Sequence, residues 1–461
     1  MSRPDRPGRG FRLLWAGQSV SLFGSQITTL ALPLIAVLSL HATPVEVGVL
    51  GAVRFLPFVM LALPVGVLVD LGRRRSLMIT ADVARAVLTA AVPVLGALGM
   101  LGITTLYAVA FALGVFQVVF DAACQSFVPD LVRGRELVGA NQRLMSSQSA
   151  ADAGGPGIAG VAVQFLNVGG ALILDAVSFL VSACCLSFIR DRESPTAARL
   201  PGTRPGTGLL AQIGEGVRAV LGRGDLRVLA GLAAVFNLLE QGLMVVFLVY
   251  AVQDLHLGPG MLGLVLSAAG AGALAGAVSA KAVAARLGVG RTLVVSTLID
   301  CVAYLLVPLA AGPRPLLVLI LMTSFGLAGL STAVFSVQSV TLRQAVTPQR
   351  LQGRVNASFL LAVYGPIPIG ALLGGVLGQQ LGLRPALFVL MAGFLCGPVW
   401  VLRSELRAVH GIPDRAGEPD RIRADAPGRV YAGGGGWAEA PAAELVEALP
   451  EEEPCRSSRS S

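Results

Sequence analysis

The groups in this chain with chemical capacity are acids and bases set inside long apolar runs. Asp82, Asp121, Asp152, Asp175, Glu240 and Asp300 fall within such runs, and so do Arg54 and Arg85. A charged side chain at the centre of a bilayer costs about 2.5 to 3.5 kcal/mol on insertion scales, so each needs a partner, water or a task. A carboxyl there can bind a cation, or take up a proton and lose its charge, and the two ligands then compete. Glu240 has Asn237 and Gln241 beside it, and Asp152 lies near Pro156. Arg54 would reach an interface, an acid or water. Asp82 and Arg85, spaced i to i+3, can pair on one helix face.

Other chemistries find no support. His41, His256 and His410 stand apart, and the six cysteines lack metal-ligand spacing, so no metal site is expected. Cys184 and Cys185 read as small packing residues. No Walker-type phosphate loop occurs, which argues against ATP as the energy source. Neither an enzyme nor a cofactor is expected.

The elements that must position these groups are membrane spans. The chain is 54% hydrophobic and 13% charged, with a mean hydropathy of +0.74; a soluble domain carries about 25% charged residues. Runs of roughly 20 apolar residues, enough for helices to cross a ~30 Å hydrocarbon core, are expected near 13–38, 46–69, 76–98, 103–123, 144–165, 170–189, 228–252, 259–280, 292–311, 315–340, 355–379 and 385–402. The runs do not alternate as barrel strands do. An all-α membrane protein of twelve transmembrane helices follows. The first run lacks a small-residue cleavage site and is expected to stay as a span.

Arginines and lysines concentrate at the N-terminus, in the even-to-odd connections and at the start of the tail, whereas the opposite loops hold only Arg314 and Arg384. Cytoplasmic loops retain such bases, so both termini are expected in the cytoplasm of a multi-pass cell-membrane protein. The net charge of +8 then needs no nucleic acid as a partner.

The division expected is a first six-helix bundle over 1–189, a cytoplasmic linker with a surface helix over 190–227, a second bundle over 228–403 and a disordered tail over 404–461. Span one carries Gln18, Ser21, Ser25, Gln26, Thr28 and Thr29, a polar set suited to an aqueous cavity. Span four carries Gln117 and Asp121. Asn141 is placed to cap the fifth helix.

The stretch GVLVDLGRRRSLMITADVAR, 66–85, joins the second and third runs through a basic turn. Gly66, Leu68, Asp70, Arg74 and Arg75 fit the G-x-L-a-D-x-x-x-R-R signature after the second span of the major facilitator superfamily, which the chain resembles. Leu71 and Arg73 depart from the usual residues. The segment SFVPDLVRGRELVGANQ and the element ADAGGPGIAG, with Gly155, Pro156 and Gly160 matching most of G-P-x-x-G-G, resemble the branch of macrolide, siderophore and multidrug exporters.

The resemblance implies two pseudo-symmetric bundles around a cavity lined by spans one, four, seven and ten. It implies a cytoplasmic gate of Gly66, Asp70, Arg74 and Arg75 joined by Asp82 and Arg85, with Gly66 letting another helix approach. Candidates for proton coupling or substrate contact are then Glu240, Asp152, Arg54, Asn237, Gln241, Gln117 and Gln26. Pro156 and its counterparts Pro366 and Pro368, in YGPIPIGALLGG, would bend the helices where the halves meet. The function implied is secondary transport by alternating access, as a proton-coupled antiporter exporting a hydrophobic or amphipathic small molecule. Uptake or facilitated passage is the alternative, and a receptor or scaffold using the tail is a further one. We expect the chain to act as a monomer in the lipid bilayer.

Overall fold

The computed structural model describes residues 8–132, 136–189, 218–347, 352–404, 430–432 and 436–438. Among these, eleven helices are long and apolar enough to cross a membrane. Spans one to four are Arg9–Leu38, Pro44–Leu71, Arg74–Ala97 and Ile103–Leu131. Spans seven to ten are Gly224–Gln253, Pro259–Leu287, Val289–Leu309 and Arg314–Val346. Span eleven runs through Gln352–Tyr364 and Pro366–Leu381, and span twelve through Leu383–Phe394 and Cys396–Arg403.

The helix Glu136–Ser187 has 52 residues. At 1.5 Å per residue that is about 78 Å, more than twice the ~30 Å of a hydrocarbon core. It breaks at Asn167, whose φ of 57° lies in the left-handed region. The Asn167 Oδ1 accepts from the Gly170 N–H at 3.1 Å, which caps the arm that follows.

Contacts with span one show how the two arms lie. Ser147 meets Trp15 and Ser19, and a Cβ on Gly155 would run into Gln26; on the other arm, Ser182 and Cys185 meet Gly17, and Ser178 meets Gly24. One arm ascends span one as the other descends it. The arms are antiparallel neighbours, spans five and six, and account for the twelve passes. Asn141 lies inside the fifth helix, which already begins at Glu136, so it is no cap.

In lipid, backbone groups must bond internally, which is why every pass is helical. Hydroxyls inside the spans do likewise: Ser25 and Thr29 donate to the carbonyls of Ser21 and Ser25, each at 2.8 Å. Large apolar side chains face outward along the helices, among them Phe165, Val278 and Leu361. Span two starts on a capping box: the Glu46 N–H donates to Thr43 Oγ1, and the Thr43 N–H to Glu46 Oε2 at 2.7 Å, with Pro44 opening the helix.

Two seams join the halves, spans five with eight and spans two with eleven. A Cβ on Gly160 would stand 2.6 Å from the Pro259 carbonyl oxygen and 2.9 Å from Gly263 Cα. On the other seam, a Cβ on Gly375 would stand 2.7 Å from the Pro44 oxygen and 3.1 Å from Gly48 Cα. Each seam is glycine laid on glycine, which brings backbones into contact. Both lie at the end of the molecule opposite Arg74, Arg75 and Arg343. At the basic end the helices part: residues 141–150 are exposed or half-buried throughout, with Met145 at 72%.

The halves share a further device. Leu40-His41 and Leu255-His256 each precede a two-residue step to the helix-starting Pro44 or Pro259, and both histidines have φ near 50°. The backbone bonds repeat as well: the Leu40 N–H donates to Ile35 and the Ala42 N–H to Ala36, as the Leu255 N–H donates to Tyr250 and the Leu257 N–H to Ala251. Gly48 and Gly263 follow at the same interval along the chain.

Of the expected linker, only 218–227 lies within the described residues, helical at 218–221 and again from Gly224. The expected surface helix and most of the expected disordered tail lie outside them. Within the tail, Val430–Ala432 pairs antiparallel with Gly436–Ala438.

Candidate functional site

A cavity of about 680 Å³ lies between the halves, on the basic side of the seams. Its walls are mainly apolar, with Leu30, Val47, Met244, Val245, Leu266 and Phe325 among them. The polar groups are few and come from both halves: Gln26, Thr29, Arg54 and Asp152 from one, Glu240, Gln241, Tyr304, Thr332 and Ser336 from the other. Spans one, two, five, seven, eight, nine and ten contribute. Span four, expected to line the cavity, does not.

Asp152 accepts from Gln26 Nε2 at 2.8 Å, across from span one, and from Gln148 Nε2 at 2.9 Å on its own helix. Glu240 faces the Tyr304 hydroxyl of span nine, which donates at 3.5 Å. Behind it, Asp300 takes the hydroxyl of Ser331, and both are buried. No basic side chain enters this second-half group among the described residues. The Arg54 guanidinium donates to Thr29 Oγ1 at 2.7 Å, so it turns into the cavity rather than toward an interface.

Two candidates are elsewhere. Asn237 donates to the Ala233 carbonyl at 2.8 Å on its own helix and does not line the cavity. Gln117 sits in a network inside the first half, where Arg85 donates to its Oε1 at 2.5 Å and to Asp82, while its Nε2 donates to Asp121 at 2.8 Å. The Arg85 guanidinium lies between the rings of Phe120 and Phe179, 4.5 Å from each centroid. Two of span one's six polar residues bond inside the first half instead: Thr28 donates to Asp175, and Gln18 accepts from Cys124.

The expected gate divides. Arg74 donates to Asp130 Oδ2 at 2.6 Å and to the Ser126 carbonyl at 3.0 Å on span four; Arg75 donates to the carbonyls of Leu186 and Ser187 at the end of span six. Both tie the basic turn to their own half. Asp82 and Arg85 do not join them: Asp82 is eight residues further along span three, about 12 Å up the helix axis. Gly66 meets nothing within 4 Å where a Cβ would stand, because the helices have parted at this end. The Asp70 side chain lies outside the described residues.

Pro156 leaves its helix unbroken; the break is at Asn167, and the Pro156 carbonyl instead forms part of the seam against Gly263. Span eleven does interrupt, between Tyr364 and Pro366, and Pro368 is buried two residues on. Gly160 and Gly375 of the seams fall in the quoted elements ADAGGPGIAG and YGPIPIGALLGG, whereas Gly48, Gly263 and the Leu-His-x-x-Pro repeat lie outside every motif read from the sequence.

Twelve helices in two like halves, enclosing an apolar cavity with a few convergent polar groups, define a membrane transporter that carries solute between two helical bundles. Residues 7–419 match the family described as transmembrane secretion effector, and the chain belongs to that family of the major facilitator superfamily. The multidrug efflux pump Tap of Mycolicibacterium fortuitum is 29% identical over 399 residues, 83% of this chain and 93% of that one. An uncharacterized major facilitator-type transporter of Sinorhizobium fredii is 28% identical over 379 residues, 79% and 87% of the two chains. The fold is that of a bacterial homologue of the iron transporter ferroportin in its inward-facing state, with a TM-score of 0.69, 18% identity and coverage of 86% and 98%. The nucleoside transporter NupG shares it with a TM-score of 0.66 and 9% identity over 85% and 98%. These relatives are transporters, not enzymes.

Proposed function

We propose that this protein exports a hydrophobic or amphipathic small molecule from the cell in exchange for protons, by alternating access. The observation that carries the reading is Glu240: a carboxyl in the cavity wall with one hydroxyl partner and no cation beside it. Such a group is stable when it holds a proton or a cationic solute, and excluding both at once couples the two fluxes. The similarity to an efflux pump supports export over uptake. With the basic ends in the cytoplasm of the inner membrane, the cavity faces inward and loads from the cytoplasm or the inner leaflet. In this reading a single chain works as a monomer, driven by protons rather than ATP.

The experiment is transport in inside-out vesicles with and without an imposed pH gradient. A gradient acid inside should drive dye accumulation, and Glu240→Gln should abolish the gradient-driven part. Unchanged proton-driven transport in the variant rejects the coupling role, and accumulation of the opposite sign rejects export.

A further inference from the structure

We infer that the transported molecule carries an acidic group held by Arg54, as well as the basic group that competes with the proton at Glu240. The inference rests on the cavity being the solute site and narrows what fits it. Three observations lead there.

The first is the state of the Arg54 guanidinium. It has five N–H donors, and among the described residues its hydrogen bond is the one to Thr29 Oγ1. Among the described residues no carboxylate lies within ion-pair distance, although two line the same cavity. Asp152 is taken by the amides of Gln26 and Gln148, and Glu240 faces Tyr304. Asp175, bonded to Thr28 and Ser178 behind span one, attracts Arg54 only from beyond contact. A cation with no carboxylate in contact, in a largely apolar enclosure, has donors left for an anionic ligand.

The second is that the guanidinium is held in place. Thr29 accepts from Arg54 while passing its own proton to the Ser25 carbonyl at 2.8 Å, so the hydroxyl is fixed as an acceptor. Behind Arg54, span four packs against span two at Gly114, which leaves no room for a Cβ beside the Arg54 carbonyl. Arg54 lines the cavity, where its remaining donors can meet a ligand.

The third is position. Gly51, one turn before Arg54, faces Gln241: a Cβ there would stand 3.6 Å from its Nε2. Span two of one half thus opposes span seven of the other, and the cavity presents a fixed cation on one wall and an uncompensated carboxyl on the other. A zwitterion with an apolar body satisfies both, and it bridges the two halves that must move together. A plain cation leaves Arg54 facing like charge.

Three dansyl probes of one body test this on the whole protein in nanodiscs: Nε-dansyl-lysine, a zwitterion; its methyl ester, a cation; and the Nα-acetyl derivative, an anion. By fluorescence titration the zwitterion should bind about tenfold or more tighter than the ester, as expected for a charge-assisted guanidinium pair. Arg54→Gln should bring the two within about twofold, with the ester bound at least as tightly as by the native protein because a like charge is gone, which also shows that the variant is folded. Arg54→Lys should keep part of the preference, since an ammonium has the charge without the planar fork. Ester and zwitterion binding alike to the native protein, a preference that survives Arg54→Gln, or no binding by any of the three overturns the inference. Flux of the same probes in proton-loaded vesicles separates the two readings. Export of the ester with no advantage for the acid rejects the Arg54 anchor alone, whereas no flux of any probe rejects the transport reading beneath it.

Discussion

The two halves of this transporter use the same seams and the same entering turns, yet they treat charge in opposite ways. In spans three and four, Arg85 is buried between two phenylalanine rings and bonded to Asp82 and Gln117, with Asp121 one step further. In spans seven, nine and ten, Glu240 and Asp300 have only hydroxyl partners, from Tyr304 and Ser331. Spans three and four hold a sealed ion pair. Among the described residues, spans seven, nine and ten hold acids with no base beside them, Glu240 in the cavity wall and Asp300 buried behind it. The first half also places Arg54 and Asp152 in the cavity, so the contrast is between these two interiors.

The contrast can be broken at its strong end first. Arg85→Gln should strand Asp82 without a cation and cost about 3 to 5 kcal/mol, read as a large fall in melting temperature in detergent. The double variant with Asp82→Asn should recover much of it. If the single change is silent, the sealed pair is not what holds the first half.

Asp300→Asn, the matching change in the second half, should cost about 1 kcal/mol, because an amide oxygen can still accept from Ser331. Equal losses at Arg85 and Asp300 would erase the comparison.

The seams offer a test of likeness rather than difference. Gly263→Ala and Gly48→Ala each place a methyl against backbone, 2.7 Å from Gly160 Cα in the first and 2.6 Å from the Ala371 oxygen in the second. Each should lower vesicle flux by a similar factor. A large disparity would mean that one seam alone carries the closure.

The smallest effect is expected at Thr43→Ala, which removes the capping box of span two for about 1 kcal/mol. Span eight starts after Gly258 and has no side-chain cap to lose, so Gly258→Ala should not mimic it in thermal denaturation.

Much of this was legible in the chain itself. Apolar run lengths locate the passes, because a bilayer imposes one length on all of them; even the 52-residue helix is divided where Asn167-Val-Gly-Gly interrupts the run. Polar residues inside apolar runs pick out Gln26, Arg54, Asp152, Glu240 and Gln241, since each is costly anywhere but at water or a partner. The same rule does not say which of the two a residue finds. Gln117 and Asn237 are equally polar, but one serves an ion pair and the other its own helix, and only helix rotation decides. Gly66 shows a related limit: a small residue permits an approach without compelling it, and here nothing comes within 4 Å of where its Cβ would stand.

Bare backbone on bare backbone closes the far end of this molecule, and that has a consequence for what the closure tolerates. A methyl at Gly160, Gly263, Gly48 or Gly375 would meet a carbonyl oxygen at 2.4 to 2.7 Å. The closure therefore stands on four positions where the chain has no substitute for a hydrogen atom.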